Sequence, residues 1–154
     1  MERTLVLIKP DAIFRHLAGK IISRFEEKGL KIIGLKMIRL SDNLLNEHYS
    51  HLKDKPFFPR IKEFMRSAPV LAICIEGKDC VEVVRKMCGV TNSRIADPGT
   101  IRGDFGMSVQ CNLVHASDSL ENAKEEIKRF FKSEELFEYK LSNMNFIYSD
   151  DEIG

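Results

Sequence analysis

The run Thr4-Leu5-Val6-Leu7-Ile8, written TLVLI, passes at once into Lys9-Pro10-Asp11. An unbroken apolar run of this length predicts a short buried strand, and Lys-Pro-Asp predicts a polar turn. Lys9 therefore stands at the carboxyl end of a strand.

Outward from this run the same signal recurs at Lys31–Leu40 (KIIGLKMIRL), Val70–Ile75 (VLAICI) and Cys111–Val114, which predict three more strands. Leu17, Ile21, Ile22 and Phe25 follow helical spacing, and Gly29 is placed to end that helix. Ser41-Asp42-Asn43 offers caps before Leu44, Leu45 and His48. After Pro56, a stripe of Phe57, Ile61, Phe64 and Met65 predicts a second short helix. Asp79-Cys80-Val81-Glu82 has the form of a capping box, and Gly89 closes the helix it opens. Residues 90–107 hold Pro98, Gly99, Gly103 and Gly106 without a period and predict a long loop, a feature that in compact domains is usually functional or disordered. Leu120, Ala123, Ile127, Phe130 and Phe131 mark a last helix, which Asp118 or Ser119 can cap.

This order predicts an α+β protein: a ferredoxin-like βαββαβ sandwich, a four-stranded antiparallel sheet with helices on one face. Residues 1–141 are read as one domain and residues 142–154, ending SDDEIG, as an acidic tail that wraps the surface or frays.

A chain of 154 residues, 44% hydrophobic, suffices for one core. Lys and Arg number 24 and Asp and Glu 23, so the overall balance favours neither nucleic acid nor an anionic membrane as partner. No apolar run approaches the roughly 20 residues of a membrane span, and the N-terminus lacks the longer apolar region of a signal peptide. A cytoplasmic location is expected. Cys74, Cys80, Cys88 and Cys111 form no C-x-x-C pair and lie in apolar stretches, as reduced, buried thiols do.

The chemistry concentrates at Asn112–Ser119, NLVHASDS, where an imidazole sits between a strand and a helix cap. An imidazole with pKa near ~6.5 is largely a free base at neutral pH and can attack phosphorus directly. A lone histidine is more often structural, so context decides. The context is an anion-favouring helix N-terminus after His115, with Lys9, Arg85, Arg94 and Arg102 available for phosphates. Thr91 and Asn112 add neutral hydrogen bonds, and Phe57 offers a ring for a base to stack on. Neither G-x-x-x-x-G-K-[ST] nor G-x-G-x-x-G occurs, so side chains from several segments would hold the phosphates.

NLVHASDS resembles the active-site signature Asn-x-x-His-Gly/Ala-Ser-Asp-Ser of the nucleoside diphosphate kinases. ERTLVLIKPDA, EHYSHLKDKPFF, SAPVLAICIEG, VVRKMCGVTN and PGTIRGDFG match the same family in order. The resemblance implies ping-pong transfer of the γ-phosphoryl of a nucleoside triphosphate, mainly ATP, to nucleoside diphosphates through phosphohistidine on His115. It further implies that Lys9, Arg85, Thr91 and Arg102 hold phosphates, that Phe57 stacks on the base, that Asn112 contacts the ribose, and that Val109 belongs to the nucleotide-binding residues. It assigns Glu126 to orienting the imidazole, Ser117 and Tyr49 to supporting hydroxyls, and Asp118 to holding Mg2+ through water. The family's oligomer implies a homohexamer. Ala12, residues 13–16 (IFRH), Val90 and Ser93-Arg94-Ile95 depart from the family's usual residues, the latter in a loop that lies at subunit contacts. Two other classes stay open: a nucleotide-sensing binding module with a vestigial histidine, and an RNA-binding sandwich. The second lacks the aromatic strand motif and a basic balance.

Overall fold

The computed structural model describes residues 1–153. In chain order it forms β1 (Glu2–Ile8), α1 (Pro10–Phe14), α2 (Ala18–Glu27), β2 (Lys31–Ile38), α3 (Asp42–His48), α4 (Phe58–Arg66), β3 (Val70–Gly77), α5 (Cys80–Cys88), α6 (Ile101–Phe105), β4 (Val114–Ala116), α7 (Leu120–Phe130) and α8 (Asp150–Ile153). The strands make one antiparallel sheet in the order β2-β3-β1-β4, so the α+β, ferredoxin-like class is the one observed.

β1 is unbroken in apolar character because both its faces are covered. Val6 and Ile8 pack with Ile21 and Phe25 of α2 and Val84 of α5. Leu5 and Leu7 pack with Leu45 of α3, Met65 of α4, and Ile127 and Phe130 of α7. Each such side chain contributes about 2 kcal/mol by leaving water. The expectation of helices on one face describes α2 and α5. The opposite face carries a second layer, α3, α4 and α7, because sheet residues of both parities are apolar.

Local readings differ at four places. Lys9-Pro10-Asp11 is no mere turn but opens α1, with Pro10 at the position where its missing N–H costs nothing. The segment 90–107 holds a 3-10 turn at Ser93–Ile95 and the short α6, whose Thr100 Oγ1 accepts from Gly103 N at 3.0 Å. The capping box at residues 79–82 does not form: Asp79 takes a left-handed φ of 49° and its side chain caps nothing. Val81 N donates instead to Glu2 Oε2 at 3.3 Å. The last strand begins at Val114 rather than Cys111, because Leu113 has a φ of 74° and breaks the pleat. Cys111 is consequently exposed, while Cys74, Cys80 and Cys88 are buried free thiols as expected.

In the acidic tail, Ile147 lies against Gly29 and the Tyr148 hydroxyl accepts from Lys78 N at 3.2 Å. No helix among the described residues is long and apolar enough to cross a membrane.

Candidate active site

β4 pairs with β1 so that His115 stands opposite Leu7, and its side chain therefore shares the sheet face covered by α3 and α7. The strand reaches this register through Leu113, fully buried in a conformation that costs a non-glycine residue about 1 kcal/mol. Leu113 N donates to Asp11 Oδ2 at 3.0 Å, and Leu113 O accepts from Lys9 N at 2.9 Å. Burial and these two bonds hold the kink, which leaves Asn112 and His115 on the wall of one cavity.

Helix α7, capped by Ser119 Oγ accepting from Asn122 N at 3.1 Å, delivers Glu126 to the imidazole. His115 Nε2 lies 2.9 Å from Glu126 Oε2, and Ser117 Oγ donates to the same oxygen at 2.7 Å. Burial pushes the Glu126 pKa up, but the hydrogen bonds from His115 and Ser117 and the imidazole's charge outweigh it and hold the carboxyl below its usual range. A carboxylate can only accept, so Nε2 carries the ring proton and Nδ1 keeps its lone pair.

Four cations line this ring's cavity: Arg129 of α7, and Lys9, Arg85 and Arg102 from other segments. Lys9 is nearly buried and donates to Gln110 O at 2.6 Å and Asn112 Oδ1 at 2.8 Å. Loss of hydration pushes its pKa down to about 8, with Arg102 adding to the effect. Arg102 spends its fork on Asn112 O (3.1 Å), Gly89 O (2.7 Å) and Val114 O (2.6 Å), which fixes the guanidinium and ties α6 to β4. Arg85 and Thr91 line the cavity, and Asn112 Nδ2 donates to Thr91 O at 3.1 Å and Val109 O at 2.9 Å. The cavity encloses about 740 Å³, within the range of small-molecule sites.

Other residues singled out in the sequence stand differently. Phe57 and Val109 are exposed, at 46% and 48%, and lie outside the cavity lining. Phe57 precedes α4, whose Phe64 ring lies 5.1 Å from Lys9 Nζ. Arg94 also lies outside the cavity and donates to Met107 O at 3.2 Å, so it organises its own loop. Tyr49 joins the wall with its ring edge-on to His48 at 4.7 Å. Asp118 is exposed on the wall, its Oδ1 accepting from Asn122 Nδ2 at 2.5 Å.

Two residues went unassigned in the sequence. The His48 ring packs edge-on against His115, with centroids 4.6 Å apart, and burial pushes its pKa down to about 3. Arg129 Nη1 donates to His48 Nδ1 at 3.3 Å, and its Nε donates to Glu47 at 3.0 Å. The available signal for His48 was its spacing: a titratable residue three after Leu45, on the buried side of α3.

For a cation, Asp118 offers the oxygen chemistry that magnesium takes. His48, His115 and Glu126 also gather closely, but His115 and Glu126 stand at 2.9 Å, hydrogen-bond separation, closer than the roughly 3.3 Å between two ligands of a tetrahedral zinc. They are a hydrogen-bonded pair.

The family model for nucleoside diphosphate kinase matches residues 2–136. A nucleoside diphosphate kinase of Parabacteroides distasonis is 56% identical over 152 residues, covering 99% of each chain. One of Methanothermobacter thermautotrophicus is 49% identical and covers 97% of this chain and all of its own. The solved nucleoside diphosphate kinase of Halobacterium salinarum in complex with CDP superposes with a TM-score of 0.93 at 41% identity, covering 96% of this chain and 99% of that one. With this agreement of fold, length and sequence, the chain belongs to the nucleoside diphosphate kinase family of phosphotransferases.

Proposed function

We propose that His115 Nδ1 is the nucleophile by which this chain moves a γ-phosphoryl group from a nucleoside triphosphate, mainly ATP, to a nucleoside diphosphate. The observation that carries the assignment is the Nε2–Glu126 bond of 2.9 Å, which in the neutral imidazole puts the proton on Nε2 and leaves the Nδ1 lone pair free on a cavity wall that also carries Lys9, Arg85 and Arg102. In the first half-reaction the Nδ1 lone pair forms an N–P bond as the bond from phosphorus to the β-phosphate oxygen breaks, and the diphosphate departs with that electron pair. The positive charge that develops on the imidazolium is stabilised across the Nε2–H bond by the Glu126 carboxylate, which stays ionised and which Ser117 keeps aligned. In the second, an acceptor diphosphate attacks the same phosphorus and restores the free imidazole.

Lys9, Arg85 and Arg102 neutralise the phosphate oxygens, and Thr91 donates to them. Because Lys9 and Arg102 are already fixed by carbonyl contacts, little is lost in ordering them when the nucleotide enters. Asn112 meets the ribose, and the exposed faces of Phe57 and Val109 meet the base, so any base that stacks is accepted. Tyr49 supports the imidazole from the side of α3. Asp118 would hold Mg2+ through water, in keeping with an ion that retains its waters and binds beside phosphates. When bound, that ion offsets the charge of the polyphosphate.

A homohexamer fits the surface. Leu35 and Met37 of the edge strand β2 are 50% and 59% exposed, and Val90, Ile95 and Met107 show apolar side chains on the 90–107 segment. Light scattering should read six chains. We place the protein in the cytoplasm, with residues 1–141 as the kinase domain and the acidic tail outside it.

Incubation with γ-labelled ATP and magnesium should give an acid-labile, alkali-stable phosphoenzyme that discharges to dTDP. Label that persists in His115→Asn would overturn the assignment.

A further inference from the structure

Arg129 lines the same cavity and touches His48 beside the nucleophile, yet none of the roles above uses it. A guanidinium has donors only, so the 3.3 Å contact from Arg129 Nη1 makes His48 Nδ1 an acceptor. A neutral ring with an accepting Nδ1 carries its proton on Nε2. That Nε2 is buried and has no hydrogen-bond partner among the described residues. A structure ordinarily avoids such an orphan by adopting the other tautomer, and here Arg129 forbids it.

The other tautomer would matter because of what lies near. A nitrogen of His48, a nitrogen of His115 and an oxygen of Glu126 all fall within 4.8 Å of one another, under the edge-on packing of the two rings. With Nε2 unprotonated, His48 would bring a free acceptor lone pair into this cluster, where Glu126 is the acceptor for His115 Nε2–H. With Nε2 protonated, it offers none.

We propose that Arg129 is a positioning residue for phosphoryl transfer: by donating to His48 Nδ1 it holds His48 as the Nε2–H tautomer and so reserves Glu126 as the one acceptor for His115. Glu47, paired with Arg129 Nε at 3.0 Å, fixes the guanidinium in the donating orientation. The inference rests on His115 being the nucleophile, and it adds a layer three residues removed from the reacting phosphorus.

The test joins 15N NMR of the imidazoles, read without nucleotide, to steady-state kinetics. The wild type should show His48 as Nε2–H. In Arg129→Met the Nδ1–H form should appear, and kcat should fall about tenfold, the scale for losing an outer hydrogen bond that orients a functional imidazole, with nucleotide KM within about twofold. In a His48→Phe background, Arg129→Met should cause no further fall. An unchanged His48 tautomer in Arg129→Met overturns the proposal. So does an equal loss of kcat in both backgrounds, or a rise in KM alone, which makes Arg129 a nucleotide ligand. A wild type without turnover would instead sink the reaction proposed for His115, and the tautomer of His48 would still judge the role of Arg129.

Discussion

Lys9 ties the fold to the reaction, and its replacement by methionine should make the protein's stability depend on pH in a calculable way. Burial lowers the ammonium pKa from 10.5 to about 8. Below pH 8 both the folded and unfolded chains hold the proton, and the native state bears the whole cost of a dehydrated charge, about 3 kcal/mol. Between pH 8 and 10.5 only the unfolded chain holds it, so the cost shrinks as pH rises. Integrated from pH 7 to 9.5, the relief is about 2 kcal/mol. Lys9→Met never bears this cost, and the donors it removes from Gln110 O and Asn112 Oδ1 count equally at both pH values. The thiols of Cys74 and Cys80, pushed up to about 12, and of Cys88, pushed up to about 11, destabilise the fold as pH climbs, but both proteins share them. Urea titrations of both proteins at pH 7 and 9.5, at one protein concentration, should show wild type gaining about 2 kcal/mol on the variant. Wild-type kcat/KM should fall over the same interval, above pH 8, as the phosphates lose a cation. A stability difference that moves by less than about 0.5 kcal/mol would refute the depressed lysine.

Glu126→Ala should lower kcat about 100-fold in a coupled assay while leaving nucleotide KM nearly unchanged, because the imidazole loses alignment rather than the nucleotide its contacts. Phe57→Leu should do the reverse, raising KM about tenfold for ADP, GDP and CDP alike, the loss of one stacked base. Gly103→Ala would drive a Cβ into Asp97 O, a backbone atom that cannot give way cheaply, and should cost about 3 kcal/mol of stability by thermal unfolding and displace Arg102 from its three carbonyls.

The long periodic elements were legible because burial and period coincide in them. β1 and β3 read as unbroken apolar runs since the sheet is covered twice, yet the same runs could not say which helices lie on which side. α1 and α6 have five residues each, too few turns to print a period, so in the sequence they look like turn and loop. The start of β4 was hidden for a different reason. A φ of 74° at Leu113 is imposed by Asp11 and by burial, and nothing in a leucine's chemistry announces it.

The site divides along the same line. His115 was legible from its neighbours in sequence, since a strand, an imidazole and a helix cap are contiguous. Glu126 was assigned only through the family resemblance, although α7 does carry a signal: Glu126 stands three residues after Ala123 and four before Phe130, both buried, so a carboxylate interrupts the apolar stripe. His48 interrupts the stripe of α3 in the same manner, three residues after Leu45. Both interruptions point at one imidazole from opposite helices of the second layer. A charged or titratable residue in a buried stripe costs stability unless a partner meets it. Two such residues on separate helices, meeting on the face of one strand, are therefore better explained by the chemistry of His115 than by the fold, which apolar residues at the same positions would serve more cheaply.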